Sequence, residues 1–382
     1  MRRILLLTSA IVLVDTLFFA ALTPLLPHYA HTLGLGKAGA GVLSGAYPAG
    51  ALVGGIPSGI VAARLGVKPT VLIGLTFVAI TTAIFGFATE AWQLDLARFA
   101  QGIASSFSWT GALTWLIAAT PIERRGAMIG SAFASAVGGA LFGPVVGGVA
   151  SYAGTSWTFG TIAVCSMGLA VWALLTHAEK PESAQPLSAF VHAMRDPHIL
   201  LGGWFILLPA LIFGAISVIA PLRLSELGFG AAAIGAIWLI AAAIEAVNNI
   251  LLGRFADRRG TLLPLRLALA GSFGTIIFLA LPGNPYVLGV LLILAAVASG
   301  AFYTPGMALL TNAAEARGLE YGYAFALINV MWAPGQVLGA VAGGSLAQAT
   351  SDRVPYALIA LVCAATFFGL HGRRDARHQA HT

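Results

Sequence analysis

Apolar residues run through this chain in blocks of roughly twenty, separated by short joints of charged, glycine or proline residues. A helix rising 1.5 Å per residue needs about that length to cross a hydrocarbon core of ~30 Å. Breaking the blocks at their joints predicts twelve helical spans: 4–27, 38–62, 69–88, 92–119, 126–152, 156–176, 199–221, 230–253, 262–281, 286–311, 321–348 and 355–371. Several exceed twenty residues and are expected to tilt. The first block follows Arg2 and Arg3 in the manner of a signal peptide, but similar blocks recur to the end of the chain. The HTLGLGKAG that follows has no small-x-small cleavage pattern, so it reads as an uncleaved first span.

Composition agrees with the pattern. Of 382 residues, 58% are apolar and 9% charged, against ~25% charged in soluble domains. Mean hydropathy is +0.89. The net charge of +6 is therefore no sign of nucleic-acid binding. It reflects membrane orientation instead: sixteen of the twenty Lys and Arg fall on one side of the spans if the N-terminus is cytoplasmic. Only Lys37, Arg223 and Arg353 fall on the other side, and Arg98 falls within span 4. The positive-inside rule then puts both termini in the cytoplasm, in a cell inner or plasma membrane. Cys165 and Cys363 both lie in apolar blocks and read as small buried hydrophobes, not a disulfide framework.

The longest inner connection, 177–198, divides the chain into six-span halves, 1–176 and 199–382. GIVAARLG (Gly59 to Gly66) recurs as GRFADRRG (Gly253 to Gly260) at an offset of 194 residues. GALFGPVVGG (Gly139 to Gly148) recurs as GQVLGAVAGG (Gly335 to Gly344) at 196. Two unrelated patterns at nearly one offset indicate a duplicated six-helix unit. Duplicated bundles commonly form transporters with a site between the repeats.

These residues resemble the major facilitator superfamily along the whole chain. Gly59, Arg64 and Gly66 match its inner-loop signature G-x-x-x-D-R-x-G-x-K/R, with Ala63 where the family has aspartate. The second copy keeps that acid as Asp257 before Arg258. In the family, the acid belongs to a latch that stabilises one access state, and its loss in the first copy biases the two states. Asp15, Pro24 and Pro27 share the D-x8-P-x2-P spacing of twelve-span drug:proton antiporters. Arg98, Gln101 and Gly102 resemble their R-x-x-Q-G. Gly139, Gly143, Pro144, Gly147 and Gly148 resemble the span 5 antiporter signature, and RFAQGIASSFSWTGA looks like span 4 of vesicular monoamine transporters. The resemblance implies an all-α integral membrane fold of twelve helices in two pseudo-symmetric bundles.

The candidate chemistry sits in the spans. A carboxylate at mid-membrane costs ~2.5–3.5 kcal/mol, so Asp15 is expected to be used. In an apolar cavity it can take up and release a proton, and when ionised it can attract a cation. Phe18 and Phe19, on its helical face, offer π-faces to an organic cation. Arg98 stays charged and requires a partner, Asp15 first and Glu245 second. Gln101, Gly102, Ser105 and Trp109 share its face as a polar stripe aimed at the cavity. Glu245 in IAAAIEAVNNILLG, with Asn248 and Asn249 one turn on, is the second buried acid. It reads either as a proton or substrate site or as a structural hydrogen bond. Asn329, Trp332 and Gln336 read as a cavity wall or as helix–helix glue. Tyr303 is a further candidate.

Asp15, Arg98 and Glu245 are thus the expected proton-coupling residues. Phe18, Phe19, Gln101, Trp109, Asn248, Asn329, Trp332 and Gln336 are the expected substrate contacts. No metal cluster, cofactor, ATP-binding loop or catalytic pair is expected. The function expected is proton-coupled efflux of small amphipathic or cationic compounds by a monomer working with substrate, protons and the bilayer. A facilitator for sugars or other metabolites stays open as the alternative.

Overall fold

In the computed structural model, residues 2–121, 124–178, 187–260, 262–319 and 321–370 are described. The chain begins with α1 (Arg2–Thr32), α2 (Lys37–Leu65), α3 (Val67–Phe87), α4 (Ala91–Ala118), α5 (Arg125–Ala153) and α6 (Thr155–Leu174). After the short α7 (Leu187–Ala193) come α8 (Pro197–Glu226), α9 (Ala231–Arg259), α10 (Leu262–Ile276), α11 (Pro285–Gly300) and α12 (Tyr303–Glu315). The last are α13 (Tyr321–Val337), a π-helical turn over Leu338–Ala342, α14 (Gly343–Ala349) and α15 (Arg353–Gly369). Among the described residues, nine helical segments are long and apolar enough to cross a membrane. The shorter apolar α10 and α15, together with α4 and its polar stripe, occupy the other three of the twelve expected places. The fold is the all-helical, twelve-span architecture expected from sequence.

The element boundaries depart from expectation where the backbone breaks. Pro24 and Pro27 lie inside α1, which runs on to Thr32. Span 10 is interrupted between Gly300 and Tyr303, and span 9 ends as a helix at Ile276. The 177–198 connection carries α7, whose buried Phe190 and Ala193 pack on Leu310, Ala314 and Leu327. Asp196 then caps α8 by accepting hydrogen bonds from the His198 and Ile199 backbone N–H groups. The same carboxylate pairs with Arg317. Cys363 is buried as expected, but Cys165 lies on an exposed helix face.

The repeated motifs have a common physical use. Gly66 (φ 97°) and Gly260 (φ 80°) occupy the same place in the two loop copies, and both adopt a backbone conformation that side chains resist. Gly66 alone separates α2 from α3. In α5, Gly139, Gly143 and Gly147 lie against the backbone of α1 near Leu13, Leu17 and Ala21. Gly335 and Gly339 lie in the same way against Leu207 and Leu211 of α8, and Gly343 lies against Ala215. Small residues let membrane helices approach this closely.

A second glycine set joins the halves. Gly235 of α9 sits where a Cβ would lie 2.8 Å from the Pro144 carbonyl oxygen, and Gly41 of α2 meets the Ala340 carbonyl oxygen more closely still. Ala340 holds the position equivalent to Pro144, and the π-turn there disrupts the helix where its counterpart has proline. Lys37 of α2 reaches Asp352 (2.6 Å) and Glu226 (3.7 Å), while Gln348 accepts from the Ala38 N–H at 2.8 Å. All these contacts lie toward the Lys37 end of the bundle. Further along α2, a Cβ at Gly55 or Gly59 would meet nothing within 4 Å. Phe87, Trp92, Tyr152, Trp157 and Tyr286 are exposed around the Lys37 end, as an interfacial aromatic belt requires.

Candidate functional site

The halves enclose a cavity with two chambers. The chamber nearer the Lys37 end has a volume of about 380 Å³, and Arg98, Glu245, Trp238 and Gln336 lie on its wall. The other has about 250 Å³ and is lined by Asp15, Tyr47, Ser105, Trp109 and Asn329. Thr16, Phe19, Ala136, Tyr303 and Trp332 line both. Phe19 of α1 meets Trp332 of α13 edge to face, with ring centroids 5.8 Å apart. An aromatic contact between the halves thus stands at the border of the chambers.

Asp15 is buried at 6% exposure, and its Oδ2 is the focus of a polar cluster. Ser105 Oγ donates to it at 2.6 Å, Trp109 Nε1 at 2.6 Å, and Tyr47 Oη lies 2.9 Å away. Tyr47 Oη also lies 2.6 Å from Ser105 Oγ. A phenol has one hydrogen, so it serves either the serine or the carboxylate at a given moment. Asp15 Oδ1 takes no hydrogen bond among the described residues.

Arg98 does not pair with Asp15 or with Glu245, and this corrects the sequence expectation. Its guanidinium carbon instead lies among four aromatic rings: Tyr47 at 4.9 Å, Phe18 at 5.2 Å, Phe19 at 5.8 Å and Phe85 at 5.9 Å. Its hydrogen bonds, to Gln101 Oε1 and to the Phe19 carbonyl, are long at 3.5 Å. Arg98 Nε has no partner. The cause is the antiparallel register of α1 and α4. Ser105 and Trp109 lie level with Asp15, whereas Arg98 lies level with Phe19, about one 5.4 Å turn farther along.

The other candidates divide. Phe19, Trp109, Asn329, Trp332 and Gln336 line the cavity. Phe18, Gln101 and Asn248 line neither chamber. Phe18 is buried edge to face against Phe85 and Phe159, and Gln101 lies between Arg98 and Thr82. Asn249, not Asn248, is the asparagine that faces Glu245; its Oδ1 lies 3.5 Å from Thr304 Oγ1. The Glu245 carboxyl lies directly over Gly300, where a Cβ would collide with it. Arg64 is exposed. The side chains of Asp257 and Arg258 lie outside the described residues. Among the described residues, no group of three or more His, Cys, Asp or Glu is arranged to hold a metal.

Tyr47 was not singled out from sequence, though it is a lone phenol between glycines and Pro48 in a small-residue span. It touches Asp15 with its hydroxyl and Arg98 with its ring. Trp238 was missed as well.

Two bundles of membrane helices around a shared cavity, polar at a few points and aromatic at its waist, form the architecture of a secondary transporter. A family model of the Major Facilitator Superfamily matches residues 8–319, and the chain belongs to that family. It is 36% identical over 94 residues to the MFS-type transporter ppzB of Metarhizium majus, a match spanning 25% of this chain and 21% of that one. It is 28% identical to the multidrug resistance protein MdtG of Enterobacter lignolyticus, over 93% of this chain and 89% of that one. In fold it is similar to a bacterial homologue of the lysosomal transporter Spinster, with a TM-score of 0.74 at 16% identity. That similarity covers 96% of this chain and 95% of the other. The protein is a multi-pass membrane transporter.

Proposed function

We propose that this transporter exports small amphipathic or cationic compounds in exchange for protons, by alternating access. The observation that carries this reading is Asp15. A carboxylate on a cavity wall has one oxygen held by three polar groups and the other open to a proton or a cationic group. Binding one ligand there excludes the other, which is the minimum an exchanger requires. The similarity to a multidrug resistance protein along most of the chain supports the export direction. With both termini cytoplasmic, the end sealed by Lys37 and Asp352 is the outer one, and the cavity belongs to a state closed to the outside. A proton moving through 100 mV supplies ~2.3 kcal/mol, enough to sustain about a 50-fold gradient of a neutral partner.

The test uses vesicles reconstituted with the protein and a pH dye inside. Adding lipophilic cations should drive proton movement in the wild type and none in Asp15→Asn. Proton movement that persists in folded Asp15→Asn removes Asp15 from the mechanism. Its absence from the wild type with every cation, alongside transport of a metabolite, replaces this reading with a facilitator.

A further inference from the structure

Each chamber has a carboxylate on its wall, Asp15 in the smaller and Glu245 in the larger. Exchange of a single charge requires only one of them. Glu245 stands half-buried on α9, with Asn249 one turn on facing it. Its carboxyl lies over Gly300, beside the break between α11 and α12, where the missing side chain leaves room for it. Tyr303, just past that break, is the titratable group that faces it, as Tyr47 is for Asp15. Neither acid has a counterion: among the described residues, no Lys, Arg or His lies within ion-pair distance of either. Arg98 is held instead among its four rings. An unpaired carboxylate inside a membrane is neutralised by a proton or by a cation.

Both acids can meet a cation from the cavity. Asp15 Oδ1 takes no hydrogen bond and keeps an accessible face on the smaller chamber, and Glu245 is partly exposed on the larger. Between them the rings of Phe19, Tyr303 and Trp332 line both chambers, a surface for an apolar linker. We propose that Glu245 is a second cation-binding carboxylate and that the cavity takes dicationic amphiphiles, one cationic group at each acid and the linker across the aromatic waist. The proposal rests on the export reading and narrows its substrate class. It keeps the competition at Asp15 and repeats it at Glu245. As a dication binds, the O–H bond of each carboxyl breaks and both protons leave to the inner side. As it is released, two protons from the outer side form those bonds again. Two positive charges leave and two enter, so the cycle moves no net charge and does not draw on the membrane potential.

A matched pair of ligands tests it. Decamethonium carries a quaternary ammonium at each end of an alkyl chain, and its carbon isostere has one of the two nitrogens replaced by carbon, with the same shape and one charge. Neither can lose a proton, so any proton released on binding comes from the protein. Calorimetry with the purified protein in nanodiscs, blanked against empty nanodiscs, gives the affinities, and repeating it in a buffer of different ionisation enthalpy counts the protons. Decamethonium should bind about tenfold or more tighter than the isostere, the size of one charge-assisted contact, and should release up to two protons against one. Asp15→Asn and Glu245→Gln should each remove the preference, and Glu245→Asp, which keeps the charge, should retain part of it. In Glu245→Gln vesicles, decamethonium exchange should become sensitive to an imposed potassium potential. Equal affinities in the wild type, tighter binding of the isostere, or no binding of either overturns the inference, as does a preference that survives in folded Glu245→Gln. The export reading fails separately. If the isostere drives Asp15-dependent proton movement and the dication gains nothing, exchange stands and the second site falls. If the preference depends on both acids and neither ligand moves protons, the site stands and the coupling falls.

Discussion

Gly41→Ala tests whether the seam between α2 and the π-turn is the moving contact. The added Cβ would overlap the Ala340 carbonyl oxygen and lie 3.3 Å from its carbon and 3.4 Å from Val341 Cα. All three atoms are backbone, so no rotamer change relieves the clash. The helices must separate by about 1 Å, and overpacking of this kind costs ~1–3 kcal/mol. That cost falls on the state in which the Lys37 end is closed, where the two backbones are in contact. A bias of ~1–3 kcal/mol is about 5- to 150-fold in the ratio of states. The control is Gly55→Ala on the same helix, where the Cβ meets nothing within 4 Å. Spin labels at the exposed Thr32→Cys and Thr350→Cys positions, in a background with Cys165 and Cys363 replaced by serine, report the closed fraction. Pulsed electron resonance should show the ratio of short- to long-distance populations reduced at least about fivefold in Gly41→Ala and unchanged in Gly55→Ala. An unchanged distribution in Gly41→Ala, or the same change in both variants, refutes the reasoning.

Lys37→Met removes the ion pair with Asp352 and should shift the same distance distribution toward the open end by ~0.2–1 kcal/mol. The wild type, but not the variant, should show that shift as salt is raised. Tyr47→Phe keeps the ring over Arg98 and removes the hydroxyl beside Asp15. It should displace the pH profile of proton movement, and an unmoved profile would separate Tyr47 from the proton step. Gly66→Ala forces a Cβ into a backbone with φ 97° and should destabilise the folded protein by ~1–3 kcal/mol. It should appear as a lower Tm than Gly59→Ala, whose Cβ meets open space.

The sequence carried the elements whose causes are local or periodic. Apolar blocks of spanning length gave the helices. Glycines repeating at offsets of 194 and 196 residues marked the duplicated unit. Gly66 and Gly260 were marked by the repeated loop, and both meet a positive φ that glycine adopts at least cost. The cost of burying charge singled out Asp15, Arg98 and Glu245 without any neighbour being known. Partner choice was not readable in this way. Arg98 misses Asp15 because α1 and α4 pack antiparallel, one turn out of the register that would pair them, and no single helix encodes that offset. Its four rings come from α1, α2 and α3, and a cation–π contact depends on ring placement that composition does not report. Phe18 and Phe19 look alike in the sequence, yet only Phe19 faces the cavity. Arg98, Trp238 and Gln336 stand on three helices far apart in the chain, yet all three line one chamber. That shared wall exists only where packing brings those helices together, because a cavity belongs to a place in space and not to a residue type.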